Sequence, residues 1–479
     1  MATKDTMKLH IDHHYRSKIY TTASTVSGHV EVMAPRGIDF DVMEILLLGT
    51  SRTSIDGVSI ARATSHTFLK LIMPIPDSYY PIPRRFEAGS TYTIPFHFVI
   101  PKHLTLNACS HRVPSDALKE HHLLLPPAVG CWERDDCAPQ MSRITYSVRA
   151  RVLLGSPEGH LERLMEASCD IKVLPLVAEE PPLSLNKQDR IYAMSKTKTL
   201  RKSILSSRAG HVTISASQPS FVMASPDGCS VSPTTAHIDL KFAPMDTGLL
   251  PPRVAGVTAK VEVMTFYSSG GINQYPNLKD WSRSFGTDGR GVYTKTISLP
   301  SGTTPSSLED LQWRQLLTEQ ARRDSGYCSD DTSRNNHDSS LGGKGAAPYY
   351  YLSSLRVLIQ LPAAKKMYLP TFHSCITSRV YVLWLTVSLS AAVGGTRNLT
   401  LRVPLQVGVG NDSGRSRTVD ATGLPTFEAA MEEPGTAGLQ ELDHPIQSRA
   451  MSMPDVYFQS DLPGYSEIGT RPRQTRQRR

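Results

Sequence analysis

The chain has 479 residues, a formal net charge of +8, 39% hydrophobic residues and 20% charged residues. It is too apolar to be disordered throughout, and its glycines show no collagen period. With 34 prolines and 32 glycines it carries too many helix breakers for an all-helical bundle. A charge of +8 spread over this length does not mark a nucleic-acid binder, and no nucleic-acid partner is expected.

The N-terminus, Met1-Ala2-Thr3-Lys4, has no apolar run behind it, so no secretory signal is expected. The longest apolar run, Val380 to Leu389, is interrupted by Thr386 and Ser388. It falls short of the roughly 20 residues a spanning helix takes. Seven irregularly spaced cysteines fit reduced thiols better than a disulfide framework. Together these features place the expected location in the cytoplasm.

In chain order, residues 8–175 carry strand signals. Tyr92, Ile94, Phe96, Phe98 and Ile100 alternate with more polar neighbours, as do Ile144, Tyr146, Val148, Ala150 and Val152. Period-2 alternation sends one set to a core and the other toward solvent. Turn residues punctuate these runs at Ala34-Pro35-Arg36-Gly37, Asp56-Gly57 and between Pro74 and Pro83. Strands without intervening helices argue for an antiparallel sandwich. Residues 176–203 shift to Glu179-Glu180-Pro181-Pro182 followed by Lys187, Lys196, Lys198 and Lys202, and read as an interdomain linker.

Residues 204–410 resume the strand pattern. Tyr381, Leu383, Leu385, Val387 and Leu389 share one face of a long strand. The expected fold is all-β, with two antiparallel β-sandwiches in tandem. A polar insert at about 302–347 interrupts the second. Within it, Ser306-Ser307-Leu308-Glu309 has capping-box spacing, and Trp313, Leu316 and Leu317 stand at i, i+3 and i+4. A short helix of narrow apolar face is expected there, in a largely disordered surface insertion. Ala347-Pro348-Tyr349-Tyr350 reads as the start of the next strand. From 411 to 479 the alternation stops, and a disordered tail is expected.

These features resemble the arrestins. Ser27-Gly28-His29-Val30-Glu31-Val32, read as a tight turn running into a strand, is similar to an opening strand of arrestin N-domains. Met43-Glu44-Ile45-Leu46-Leu47-Leu48 is similar to the next strand. The run Phe86 to Pro101, with Gly89 and then Pro95-Phe96-His97-Phe98-Val99-Ile100-Pro101, follows the family's "PFxFxxP" pattern. Leu369-Pro370-Thr371-Phe372-His373-Ser374-Cys375 and the strand after it resemble the C-domain of α-arrestins, particularly the fungal ones. The resemblance covers 8–175 and 204–410. It implies a non-catalytic arrestin-related trafficking adaptor, peripheral at the plasma membrane or endosomes. Such an adaptor binds a membrane transporter or receptor and recruits a HECT-type ubiquitin ligase, whose WW domains read PY motifs.

The tail supplies a PY-like motif at Leu462-Pro463-Gly464-Tyr465. Proline pre-sets an extended backbone for an aromatic groove, and the tyrosine adds buried area and a hydroxyl. Leu424, Pro425 and Phe427 form a weaker second site, since the hydroxyl lost with phenylalanine is worth about 1 kcal/mol. Lys187, Lys196, Lys198 and Lys202 are candidate ubiquitin acceptors. The five arginines in the last nine residues carry most of the net charge. They fit contact with anionic lipid, a nuclear-import signal or simple solubilisation.

Two alternatives stay open. One is an arrestin-fold signalling scaffold, for ambient-pH or receptor signalling, that recruits no ligase. The other is a nuclear regulator using the arginine tail. No GxxxxGK[ST], GxSxG or HExxH is present, so neither a catalytic residue nor a cofactor is expected. Cys109, His111, His121, His122, Cys131 and Cys137 gather in one region, but their spacings match no zinc finger. A long loop with free thiols and no metal is expected there.

Overall fold

Two β-sandwiches follow one another along the chain, each closing on a core of its own. The computed structural model describes residues 6–55, 62–156, 160–186, 189–201, 208–278, 281, 289–299, 311–317, 347–390 and 396–410. In the first half, strands Thr6–Ile11, Thr25–Met33 and Thr91–Val99 form an antiparallel three-stranded sheet with Thr25–Met33 central. A five-stranded sheet runs in the order Ile19–Tyr20, Leu161–Val173, Ser142–Gly155, Val42–Ile55 and Arg62–Ile72. Val30, Ile94 and Phe96 from the first sheet share a core with Ile45, Leu47, Tyr146 and Val148 from the second. The alternating residues of 92–100 and 144–152 point inward as their period requires.

In the second half, one sheet is ordered Ser195–Arg201, Arg208–Ala216, Thr234–Pro244, Tyr349–Ile359 and Arg314–Leu317. The other places Arg290–Ser298 beside Arg253–Ser268, which pairs Thr377–Ser390. Phe372–His373 and Thr396–Leu405 both pair that same strand. Val212, Leu240 and Phe242 pack against Val261, Leu383, Leu385 and Leu401. Each such side chain taken out of water contributes about 1.5–3 kcal/mol. The fold is all-β. Among the described residues its one α-helix is Asp116–His122, where Ser115 Oγ accepts a hydrogen bond from Leu118 N–H. Both sandwiches belong to one compact unit, Met1–Ser416.

Three sequence expectations change. First, the helix expected around Trp313 is a strand, Arg314–Leu317, paired with Tyr349 to Leu352. One turn of helix with a narrow apolar face is marginal alone. Extended, the same residues add a strand to an open sheet edge while Leu311 and Trp313 lie on the core. Tyr349 does begin a strand.

Second, much of 176–203 is docked rather than free. Ser195–Arg201 is an edge strand, Val177 bridges to Val409, and Ala193 bridges to Arg402. Leu183, Leu185, Ile191 and Tyr192 pack with Phe266, Val380 and Val382. The prolines and charges of this segment mask four apolar residues that cover the outer face of Thr377–Ser390.

Third, Gly28 sits inside the strand Thr25–Met33 rather than at a turn. A Cβ there would lie 2.0 Å from the His10 carbonyl oxygen and 2.8 Å from the Phe96 ring. The glycine is required by close approach of the neighbouring strand. Gly28→Val is therefore expected to destabilise the protein by about 1–3 kcal/mol. Ser27→Val, on the other face, should move the denaturant midpoint far less. Equal midpoints for the two variants in chemical unfolding would refute the close-approach argument.

Candidate functional site

The two sandwiches meet along a buried polar seam. On the first-half side, Ser51, Thr53 and Ser142 are buried at the ends of Val42–Ile55 and Ser142–Gly155. On the second-half side lie Ser268, Thr377 and Arg379, also buried. Thr53 Oγ1 donates to the Ser268 carbonyl at 2.8 Å, and Thr64 Oγ1 donates to the Ser269 carbonyl at 3.0 Å. Thr377 Oγ1 lies 3.0 Å from Ser142 Oγ and 3.4 Å from Ser51 Oγ. Satisfying these hydroxyls across the seam removes the penalty of burying them.

Arg379 is fully buried (0% exposed). Its Nη1 donates to the Asp136 carbonyl at 2.7 Å, while Nε and Nη2 find no protein partner. The Asp136 carboxylate instead accepts the Gly130 and Ala138 amides, at 2.7 and 3.1 Å. Next to it, Asp135 accepts Lys295 Nζ at 2.6 Å, Lys366 Nζ at 2.9 Å and the Cys137 amide at 3.0 Å. Burial pushes the Asp135 carboxyl up. The lysine and amide donors outweigh it and hold the group well below the usual carboxylate range. Arg134 Nη1 donates to the Gly228 carbonyl at 2.6 Å. The loop around residues 130–138 thus clasps the second half at several points.

Beside this polar zone lies a cavity of about 290 Å³, lined among others by His121, Tyr192, Phe221, Tyr275, Phe372 and His373. The His121, Tyr275 and His373 rings meet at 5.1–6.0 Å in edge-on pairs. Burial, with His121 and His122 alongside, pushes His373 down to about 3. Burial, with Glu180 and Glu120 nearby, raises Tyr275 to about 12. His373 and Tyr275 are thus uncharged near neutrality, and the cavity suits an apolar or aromatic group.

The region of cysteines and histidines singled out in the sequence divides. Cys131 and Cys137 lie apart, and burial raises both thiols, Cys131 to about 11. Thiols held protonated in this way are weak nucleophiles. Cys109, His111 and His122 come together, and a fourth residue from the second half, Cys375, joins them. Their ligand atoms all lie within 4.8 Å of one another, a donor set capable of holding a metal. No local spacing announces Cys375. Only the approach of the two sandwiches brings it in. The expected long loop between the thiols instead contains the helix Asp116–His122, which returns His122 to Cys109.

Other sequence-predicted residues fall as follows. Lys196 and Lys198 are exposed on the edge strand Ser195–Arg201, where lysines also discourage edge-to-edge pairing. Lys187, Lys202, Leu424, Pro425, Phe427, Leu462, Pro463, Tyr465 and the terminal arginines lie outside the described residues. Among the described residues, no helix is long and apolar enough to cross a membrane. No protein-family model matches the chain, and no curated protein matches it either.

The Asp135 cluster makes a pH prediction. A carboxyl lowered in the folded state adds stability that is complete above its unfolded pKa, near 3.9, and fades as pH falls through the folded value. The group is partly exposed (39%), so solvent screens the effect. Asp135→Asn is expected to lower the urea midpoint at pH 6 and to lose less stability than the parent between pH 4 and pH 2.5. Parallel pH curves for the two proteins would show that the lysine contacts carry no linkage.

Proposed function

We propose that the chain is a non-catalytic adaptor of arrestin type. Its β-sandwich body binds a membrane transporter or receptor. Its tail holds a HECT-type ubiquitin ligase through Leu462, Pro463 and Tyr465. The observation that carries the reading is the pairing of an all-β body with a PY-like motif that follows the last described strand, Val407–Val409. The body supplies a rigid surface, and the motif supplies a short proline-tyrosine peptide. Tethering raises the effective concentration of ligase at the cargo, so no catalytic group of its own is required. The protonated thiols of half-buried Cys131 and buried Cys137 also fit a binding role.

In this reading Lys187, Lys196, Lys198 and Lys202 are the ubiquitin acceptors. Lys196 and Lys198 have the necessary exposure. Leu424, Pro425 and Phe427 add a second, weaker WW contact, and the arginine tail adds affinity for anionic lipid. The protein then works in the cytoplasm at the plasma membrane or endosomes.

A tail peptide spanning Leu462 to Tyr465 is expected to bind a HECT-ligase WW domain with micromolar affinity. Tyr465→Ala should weaken that binding at least about tenfold, or about 1.4 kcal/mol. Phe427→Tyr, restoring a hydroxyl worth about 1 kcal/mol, should strengthen the second site several-fold. Fluorescence titration checks both. Equal binding by wild type and Tyr465→Ala, or none by either, sinks the ligase half of the reading. A signalling scaffold is then the better account if affinity capture with the full chain returns a receptor and no ligase.

A further inference from the structure

Four side chains at the seam have the chemistry of a closed metal site. Cys109 follows the turn Leu106–Ala108, His111 stands two residues on, and His122 ends the helix Asp116–His122. Cys375 lies in the turn before Thr377–Ser390, in the other sandwich. Cys109 Sγ is 3.6 Å from His122 Nδ1 and 3.8 Å from His111 Nδ1. A tetrahedral zinc with Zn–S near 2.3 Å and Zn–N of about 2.0–2.1 Å sets its sulfur and nitrogen ligands about 3.6 Å apart. The cluster therefore has nearly the required spacing before any ion enters. Its largest separation, within 4.8 Å, closes to a tetrahedral edge by about 1 Å.

The surroundings favour a metal as well. His111 Nε2 lies 3.1 Å from the Ile272 carbonyl oxygen. A carbonyl only accepts, so Nε2 carries the proton and the Nδ1 lone pair faces Cys109. Fixing a ligand tautomer through the far nitrogen is the usual support of a metal-bound histidine. The ring fits against this segment because residue 271 is glycine: a Cβ there would lie 2.3 Å from His111 Cδ2. The Ile272 amide also donates to the Cys375 carbonyl, so one short segment braces two ligands. Cys109, His122 and Cys375 are buried among Val113, Leu123 and Ile376. Such an apolar shell penalises a bare polar cluster, and the His122 Nε2 finds no partner in it.

We propose that Cys109, His111, His122 and Cys375 hold one zinc ion that staples the first sandwich to the second. Binding deprotonates both thiols and releases two protons to solvent. Two thiolates then neutralise the dication, and the buried site carries no net charge. Four protein ligands fill the tetrahedron and leave no open position, which makes the site structural rather than catalytic. The soft and borderline donor set selects zinc over magnesium or calcium. The site does not rest on the adaptor reading.

The test uses the full chain, expressed with added zinc and purified under a non-chelating reductant. Elemental analysis is expected to find one zinc per chain. Cys109→Ser/Cys375→Ser should lower this about tenfold or more, while Cys131→Ser should leave it unchanged. Because the double substitution also alters seam packing, the wild-type protein gives a second readout. In the zinc form Cys109 and Cys375 should resist alkylation. A chelator should expose them and lower the melting temperature, and zinc should restore both. Cobalt(II) in place of zinc should give the intense visible bands of a tetrahedral thiolate site. Substoichiometric metal after incubation with zinc, full retention of zinc by the double variant, or an intact Cys109–Cys375 disulfide under the purification reductant would each overturn the proposal.

Discussion

Between Met367 and Leu369 the chain changes core at every residue. Met367 and Leu369 point into the core of the first sandwich, and Tyr368 points into the core of the second. An extended backbone directs successive side chains to opposite faces, so three residues serve two cores without a bend. Phe372 returns to the first core. Tyr381 closes the arrangement by donating its hydroxyl to the Leu369 carbonyl at 2.6 Å. The sandwiches cannot separate here without pulling Met367, Leu369 and Phe372 out of the first core. Losing large apolar side chains from a core costs several kcal/mol each.

The same stretch carries the polar seam. Thr377 and Arg379 follow within a few residues, and Cys375 lies between them and Phe372. Burying a guanidinium against a single carbonyl does not stabilise a protein much, because desolvation takes several kcal/mol. The cost grows, however, in any docking that moves the Asp136 carbonyl out of reach. Apolar contacts thus provide the attraction between halves, and hydroxyls, Arg379 and the Asp135 lysine pair restrict its geometry. The Cys/His cluster sits at the same boundary, where a bound ion would restrict it further. A body held this way presents its loops and sheet faces as one unit, which is what tethered recognition in the adaptor reading calls for.

Legibility in the sequence followed the range of each interaction. Strands such as Thr91–Val99 and Ser142–Gly155 were readable because period-2 alternation is written in neighbouring residues. The inward face of Thr377–Ser390 was readable for the same reason. Its other face was not: Val380 and Val382 look like the polar-facing half of an alternation that happens to be apolar. Their cover, Ile191 and Tyr192, sits in a stretch whose prolines and charges suggested a linker. Arg314–Leu317 was misread because helical spacing of three apolar residues is weak evidence beside an open sheet edge.

The amino-acid order by itself determined an all-β chain, several of its alternating strands, and a proline-tyrosine motif after the last described strand. These rest on composition and on contacts between near neighbours, which a linear pattern records. The tertiary structure alone decided that Gly28 makes room for a neighbouring strand and that the segment before Ser195 covers a sheet. It also decided that Arg379 is sealed in the seam and that Cys375 completes a group begun at Cys109. Each of these depends on residues from distant parts of the chain meeting in space, and no local period encodes that meeting.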